Sequence, residues 1–109
     1  MSTISTHVLD TSTGRPAVGI RVILERDRVL IGSSVTDEDG RCRDLLQHGS
    51  SLSEGDYSLT FSVGDYFEKS NQSAFYSDIT IRFRIEDEDQ HYHVPLLLSP
   101  YGYSTYRGS

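Results

Sequence analysis

The side chains in this sequence best suited to chemistry are the imidazoles His7, His91 and His93, the guanidinium of Arg41, and a run of hydroxyls near the C-terminus that includes Ser104 and Tyr106. Imidazole titrates near neutral pH, so His7 and His93, each next to an apolar residue that would desolvate it, suit general acid–base work. From residue types alone, a histidine held in a structural hydrogen-bond network is the commoner outcome. His91 and His93 would project side by side from a strand, and two imidazoles at that spacing could begin a metal site. No cysteine or carboxylate spacing completes the ligand set, so no metal is read here and His91 reads as an exposed histidine beside an acidic stretch. Arg41 carries forked donors that would hold a planar anion or a urea-like group, with an ordinary surface arginine as the alternative. Residues 36–40 are acidic but lack the twelve-residue ligand spacing of a calcium loop, and read as a turn. Cys42 belongs to no paired catalytic signature and reads as packing.

These residues must be positioned by strands. In residues 91–98 alternation puts His91, His93, Pro95 and Leu97 on one face and the apolar set Tyr92, Val94, Leu96 and Leu98 on the other. Ser99-Pro100 marks a turn, after which residues 101–107 form a last strand with Ser104 and Tyr106 on a shared side. A disordered tail would be poor in aromatic and apolar residues, so this terminus is expected to be buried or docked. Residues 4–10 form a first strand, with Ser5, His7 and Leu9 opposite Ile4, Thr6 and Val8. Residues 11–17 read as a loop, 19–25 as a second strand, 28–35 as a weaker one, 43–46 as a brief one and 48–55 as a loop. Residues 56–63 form a strong strand ended by Gly64, and Asp65 would cap a short helix through Asn71. Residues 77–85 alternate cleanly, and the acidic residues 86–89 read as a hairpin loop into the final pair. Short strands with regular turns and one short helix predict an antiparallel β-sandwich.

The chain of 109 residues suits one domain, spanning 1–109. Its net charge of −6 argues against nucleic acid or an anionic membrane as partner. A lone cysteine implies no oxidising compartment, no stretch approaches a membrane span and the first residues have no signal-like apolar block, so the reading is cytoplasmic.

Several motifs then fit together: residues 5–10 (Ser-Thr-His-Val-Leu-Asp) with 13–17 (Thr-Gly-Arg-Pro-Ala), 36–41 (Thr-Asp-Glu-Asp-Gly-Arg), 64–67 (Gly-Asp-Tyr-Phe), 91–100 (His-Tyr-His-Val-Pro-Leu-Leu-Leu-Ser-Pro) and the terminal Tyr106-Arg107-Gly108-Ser109. In this combination the chain resembles the transthyretin-related family of 5-hydroxyisourate hydrolases along nearly its whole length. The resemblance implies a transthyretin-like sandwich of two four-stranded sheets with one short helix, assembled as a homotetramer, a dimer of dimers with active sites in a central channel. It implies His7, His93, Arg41 and Tyr106 as catalytic residues. It also implies that Ser104, Arg107, Gly108 and Ser109 help His7, Arg41 and Tyr106 bind substrate, with neither metal nor cofactor. The implied reaction is hydrolysis of 5-hydroxyisourate in urate breakdown. Transthyretin-like binding without catalysis is the alternative, because one architecture can host both functions.

Overall fold

A computed structural model describes residues 3–46 and 52–109. In chain order the elements are β1 (Thr3–Asp10), β2 (Arg15–Pro16), β3 (Arg21–Arg26), β4 (Val29–Val35), β5 (Arg41–Cys42), β6 (Gly55–Phe61), α1 (Val63–Lys69), β7 (Ile79–Ile85), β8 (His91–Ser99) and β9 (Gly102–Thr105). One sheet runs β2-β1-β8-β9, with the two-residue β5 also on β1, and the second runs β4-β3-β6-β7. The expected sandwich of two sheets is present. One pairing departs from an antiparallel pattern: β1 and β8 run parallel over eight positions, from Thr3 opposite His91 to Asp10 opposite Leu98. Parallel neighbours need a long connection, and here almost the whole chain supplies it.

Burial fixes the register. Tyr92, Val94, Leu96 and Leu98 from β8 face Leu59 and Phe61 of β6 and Val22 and Leu24 of β3 in a common buried core. Each such aliphatic side chain contributes about 1.5–3 kcal/mol by leaving water. A one-residue slip of β8 would expose all four and bury His91 and His93 instead, so the imidazoles are held outward by the apolar residues between them.

Local sequence explains most of the remaining structure. The β3–β4 turn places Asp27 and Arg28 at φ 50° and 67°, the left-handed pair that a two-residue hairpin requires. Asp37 organises the turn before β5: its Oδ1 accepts the backbone N–H groups of Asp39 and Arg41, both at 2.9 Å. Gly40 closes that turn at φ 75°, where an added Cβ would lie 2.5 Å from the carbonyl oxygen of Val8. The turn therefore lays Arg41 against β1.

Several expected boundaries shift. The brief strand lies at Arg41–Cys42 rather than 43–46, because it is Arg41 and Cys42 that reach the free edge of β1. The loop expected at 11–17 contributes the short β2, and of the loop expected at 48–55, residues 48–51 lie outside the described residues while Gly55 opens β6. The strand expected to run through Val63 stops at Phe61, and the helix begins at Val63 with Ser62 as its cap; Asp65 sits in the first turn. Val63 and Phe67, four apart on one helix face, are both buried, and that contact sets the start. Residues 86–89 do not close a hairpin: β7 and β8 belong to different sheets, and the acidic stretch crosses between them. The Tyr92 hydroxyl pins the crossing by donating to the Asp87 carbonyl at 2.8 Å. Among the described residues no helix is long and apolar enough to cross a membrane.

Candidate active site

The outer face of the β1–β8 ladder collects the chemically able residues. Parallel register sets Thr3 beside His91, Ser5 beside His93 and His7 beside Pro95. On the other edge of β1, Arg41 is the direct partner of His7, a pairing that brings Cβ atoms to about 4.5–5.5 Å. Thr6, between Ser5 and His7, points inward and donates its hydroxyl to the Val94 carbonyl at 2.6 Å, which locks the two strands behind the site.

His93 is the centre of this arrangement. Its Nδ1 lies 2.8 Å from the hydroxyl of Ser5, and the same hydroxyl lies 3.0 Å from Nε2 of His91. The two imidazoles stand nearly parallel, with centroids 6.3 Å apart. The Nδ1 of His91 meets the hydroxyl of Thr3. Burial, and then the charges of Arg41, His91 and His7, hold the His93 imidazole below the usual histidine range, which favours its neutral form. A neutral, half-buried imidazole is poised to accept a proton. An open depression of about 250 Å³ lies over it, bordered by Ser5, Arg41, Cys42, His91, His93 and Ser109.

The chain terminus returns to this place. The Gly108 N–H donates to the His93 carbonyl at 2.8 Å, and the two residues form an isolated bridge. An added Cβ on Gly108 would lie 2.5 Å from Cδ2 of His93, so the backbone approaches as closely as glycine permits. Arg107 stacks its guanidinium 4.7 Å from the centroid of the Tyr92 ring and donates to Gln90 at 2.7 Å. The terminus is therefore docked, yet it is not buried in the single chain: Tyr101 and Tyr106 are 69% and 59% exposed.

Not every predicted site residue reaches the depression. His7 sits one strand across, beside Arg41, close enough for its charge to act on His93. Ser104 is opposite Leu97, four positions along β8 from His93. Tyr106 and Arg107 border a second, apolar groove of about 280 Å³ with Ile81, Phe83, Tyr92 and Val94. The expected strand through residue 107 breaks at Thr105 for a physical reason. Alternate antiparallel pairs exchange backbone hydrogen bonds, and the pair after His93–Gly108 would be Pro95–Tyr106, where proline has no N–H to give. The Pro95 carbonyl takes the Thr105 hydroxyl instead, at 2.7 Å.

Sequence reasoning missed Ser5 and Thr3. Alternation placed Ser5 on the face of His7, but only the parallel pairing of β1 with β8 puts it between two imidazoles. Cys42, read as packing, is buried as expected and also borders the depression. Burial pushes its thiol up, away from the reactive thiolate. Among the described residues no three His, Cys, Asp or Glu side chains are grouped to hold a metal ion.

Known proteins of the same kind are readily found. A 5-hydroxyisourate hydrolase of Rhizobium meliloti (strain 1021) is 49% identical over 97% of this chain and 95% of its own length. The structure of Klebsiella pneumoniae 5-hydroxyisourate hydrolase superposes with a TM-score of 0.89 at 39% identity, covering 98% of this chain and 99% of that one. Sea bream transthyretin, solved in complex with thyroxine, matches at the same TM-score with 24% identity over 97% of this chain and 94% of that one, a likeness of fold alone. The model of the HIUase/Transthyretin family matches residues 4–108, and with it the sandwich, the histidine-bearing strands and the docked terminus make this chain a member of that family.

Proposed function

We propose that this chain, acting as a single hydrolase domain, hydrolyses 5-hydroxyisourate to 2-oxo-4-hydroxy-4-carboxy-5-ureidoimidazoline in urate breakdown. The observation that carries the reading is His93, tied to Ser5 and under the chain terminus, at an open depression that Arg41 also borders. The names of the relatives at 49% and 39% identity support the choice of substrate. Opening a cyclic amide needs a base for the attacking water, a proton for the departing nitrogen and donors for the developing oxyanion. His93 and His7 share the proton transfers, each worth a factor of about 10²–10⁴. Arg41 offers paired N–H donors to the planar ring and its oxyanion, a role that preorganised donors fill at low local dielectric. Gly108 and Ser109 close one wall.

The working form in this reading is a homotetramer, a dimer of dimers. Its support is the apolar surface left open on one chain, Phe75, Tyr101, Tyr103 and Tyr106 among it, and the free edges of β7 and β9 where each sheet ends. Further copies would cover the open side of the depression and bring Ser104, Tyr106 and Arg107 into service at the site. The reading also places the protein in the cytoplasm, in keeping with a single buried, unpaired thiol.

The test follows the spectroscopic decay of freshly generated 5-hydroxyisourate with wild-type protein, with His93→Ala and with a variant lacking residues 106–109, each checked for assembly. Wild type should accelerate decay and both variants should lose most of that acceleration. A correctly assembled wild type that leaves the spontaneous rate unchanged would sink the enzyme reading in favour of a ligand-binding protein.

A further inference from the structure

Ser5 is a buried residue whose one hydroxyl touches two imidazoles. A hydroxyl has one proton, so it donates to one ring and accepts from the other. With both rings neutral, only two arrangements satisfy the chain Thr3–His91–Ser5–His93. In one, both histidines carry their proton on Nδ1: His93 donates to Ser5, Ser5 to Nε2 of His91, and His91 to Thr3. In the other, every bond reverses and both histidines carry their proton on Nε2.

We infer that this chain is a proton relay between His93 and solvent, with Ser5 and His91 as positioning residues that let His93 take up and give back a proton without becoming an imidazolium. The inference rests on the hydrolase reading above. In the first arrangement Nδ1 of His93 is engaged by Ser5, its Nε2 lone pair is left free, and the residue borders the depression. As it accepts a proton from the attacking water, its Nδ1 proton passes to Ser5 and the Ser5 proton to Nε2 of His91. The Nδ1 proton of His91 then passes to Thr3, and the Thr3 proton to bulk water. The chain now stands in its second arrangement with no change of charge. When the ring C–N bond breaks, His93 hands its Nε2 proton to the leaving nitrogen, and the chain runs back by drawing one proton from bulk at Thr3. The second proton of the water leaves as the product carboxylic acid ionises. Atoms and charge balance over the cycle.

The surroundings favour such a device. His93 is faced by His91 on its own strand, by His7 on β1 and by Arg41 on β5, all of which oppose a positive charge. His91 is exposed and its bond to the Thr3 hydroxyl lies at the surface, so the outer end of the chain is in contact with water.

The test combines ¹⁵N NMR of histidine-labelled full-chain protein with turnover. In wild type, His91 and His93 should report the same tautomer preference; in Ser5→Ala the two preferences should become independent. Ser5→Ala and His91→Ala should each lower kcat by about tenfold, the worth of roughly one hydrogen bond, with KM little changed, and Ser5→Thr should restore part of the loss. Unaltered tautomer preferences in Ser5→Ala, or its wild-type turnover beside an active wild type, would overturn the relay alone. A wild type without hydrolase activity would overturn the hydrolase reading and the relay together.

Discussion

Gly108→Ala is the sharpest single test of the idea that the chain terminus is part of the site. The new Cβ would lie 2.5 Å from Cδ2 of His93 and 3.0 Å from Cγ of Pro95. Nonbonded carbons rest at about 3.5–4.0 Å, so ring and terminus must part by about 1 Å. His93 cannot swing away freely, because its Nδ1 is tied to Ser5 at 2.8 Å. Relief comes from lifting the terminus, which stretches the 2.8 Å bond from the Gly108 N–H to the His93 carbonyl and carries Ser109 out of the depression. Misplacement by about 1 Å costs on the order of 10²-fold in rate, whereas losing one surface hydrogen bond costs about 1 kcal/mol of stability. Decay of 5-hydroxyisourate should slow by about two orders of magnitude in this variant while thermal melting moves by only a few degrees. Wild-type kcat/KM in Gly108→Ala would refute the reasoning, since the contact would then have no bearing on turnover.

Other expectations follow from the same geometry. In the proposed mechanism His93 acts as a base in its neutral form; because its folded-state value is lowered, by burial first and Arg41 next, activity should persist below the ordinary histidine value of about 6.5 before falling with pH. Arg41→Gln removes one of those causes and leaves burial, so the acid limb of the kcat/KM profile should move up in pH; a downward shift would contradict the assignment. Thr36→Val should destabilise the sandwich without touching the site. The Thr36 hydroxyl donates to the Ala17 carbonyl at 2.7 Å and accepts the Ile20 N–H at 2.9 Å, and each buried group left without its partner costs about 1–3 kcal/mol. Urea unfolding should show a lower midpoint with an unchanged slope.

Much of the fold was legible because alternation is a strong physical signal. The apolar residues of β8 and β6 declared their inner faces, and the outward set His91, His93 followed. The parallel neighbour of β8 was not legible, since no local pattern says which distant strand will lie alongside. Ser5 was invisible as a site residue for that reason: its partners are set by register, not by spacing. The helix starts two residues before the favoured cap Asp65, because burial of Val63 outweighs the local capping preference. The last strand is shorter than its alternation predicts, because the missing N–H of Pro95 matters only where Tyr106 comes to lie opposite it. Apolar and aromatic content in the terminus predicts that it is buried or docked, and docking is the form it takes: Gly108 bridges to His93 while Tyr101 and Tyr106 stay exposed in one chain.

The parallel ladder has a consequence for biosynthesis. Ser5 and His93 are 88 residues apart, so the two sides of this pairing are made at well-separated moments of synthesis. At about 5–20 residues per second, β1 waits roughly 4 to 18 seconds after its own synthesis for β8 to be made. Until then Ile4 and Val8 lack the strand beside them, and one whole edge of β1 is open to wrong partners. Closure of this ladder is a late, long-range event of the kind that slows folding. A chain that stops before β8 therefore cannot bring Ser5 to His93, and formation of that contact reports that β8 has been made and laid against β1.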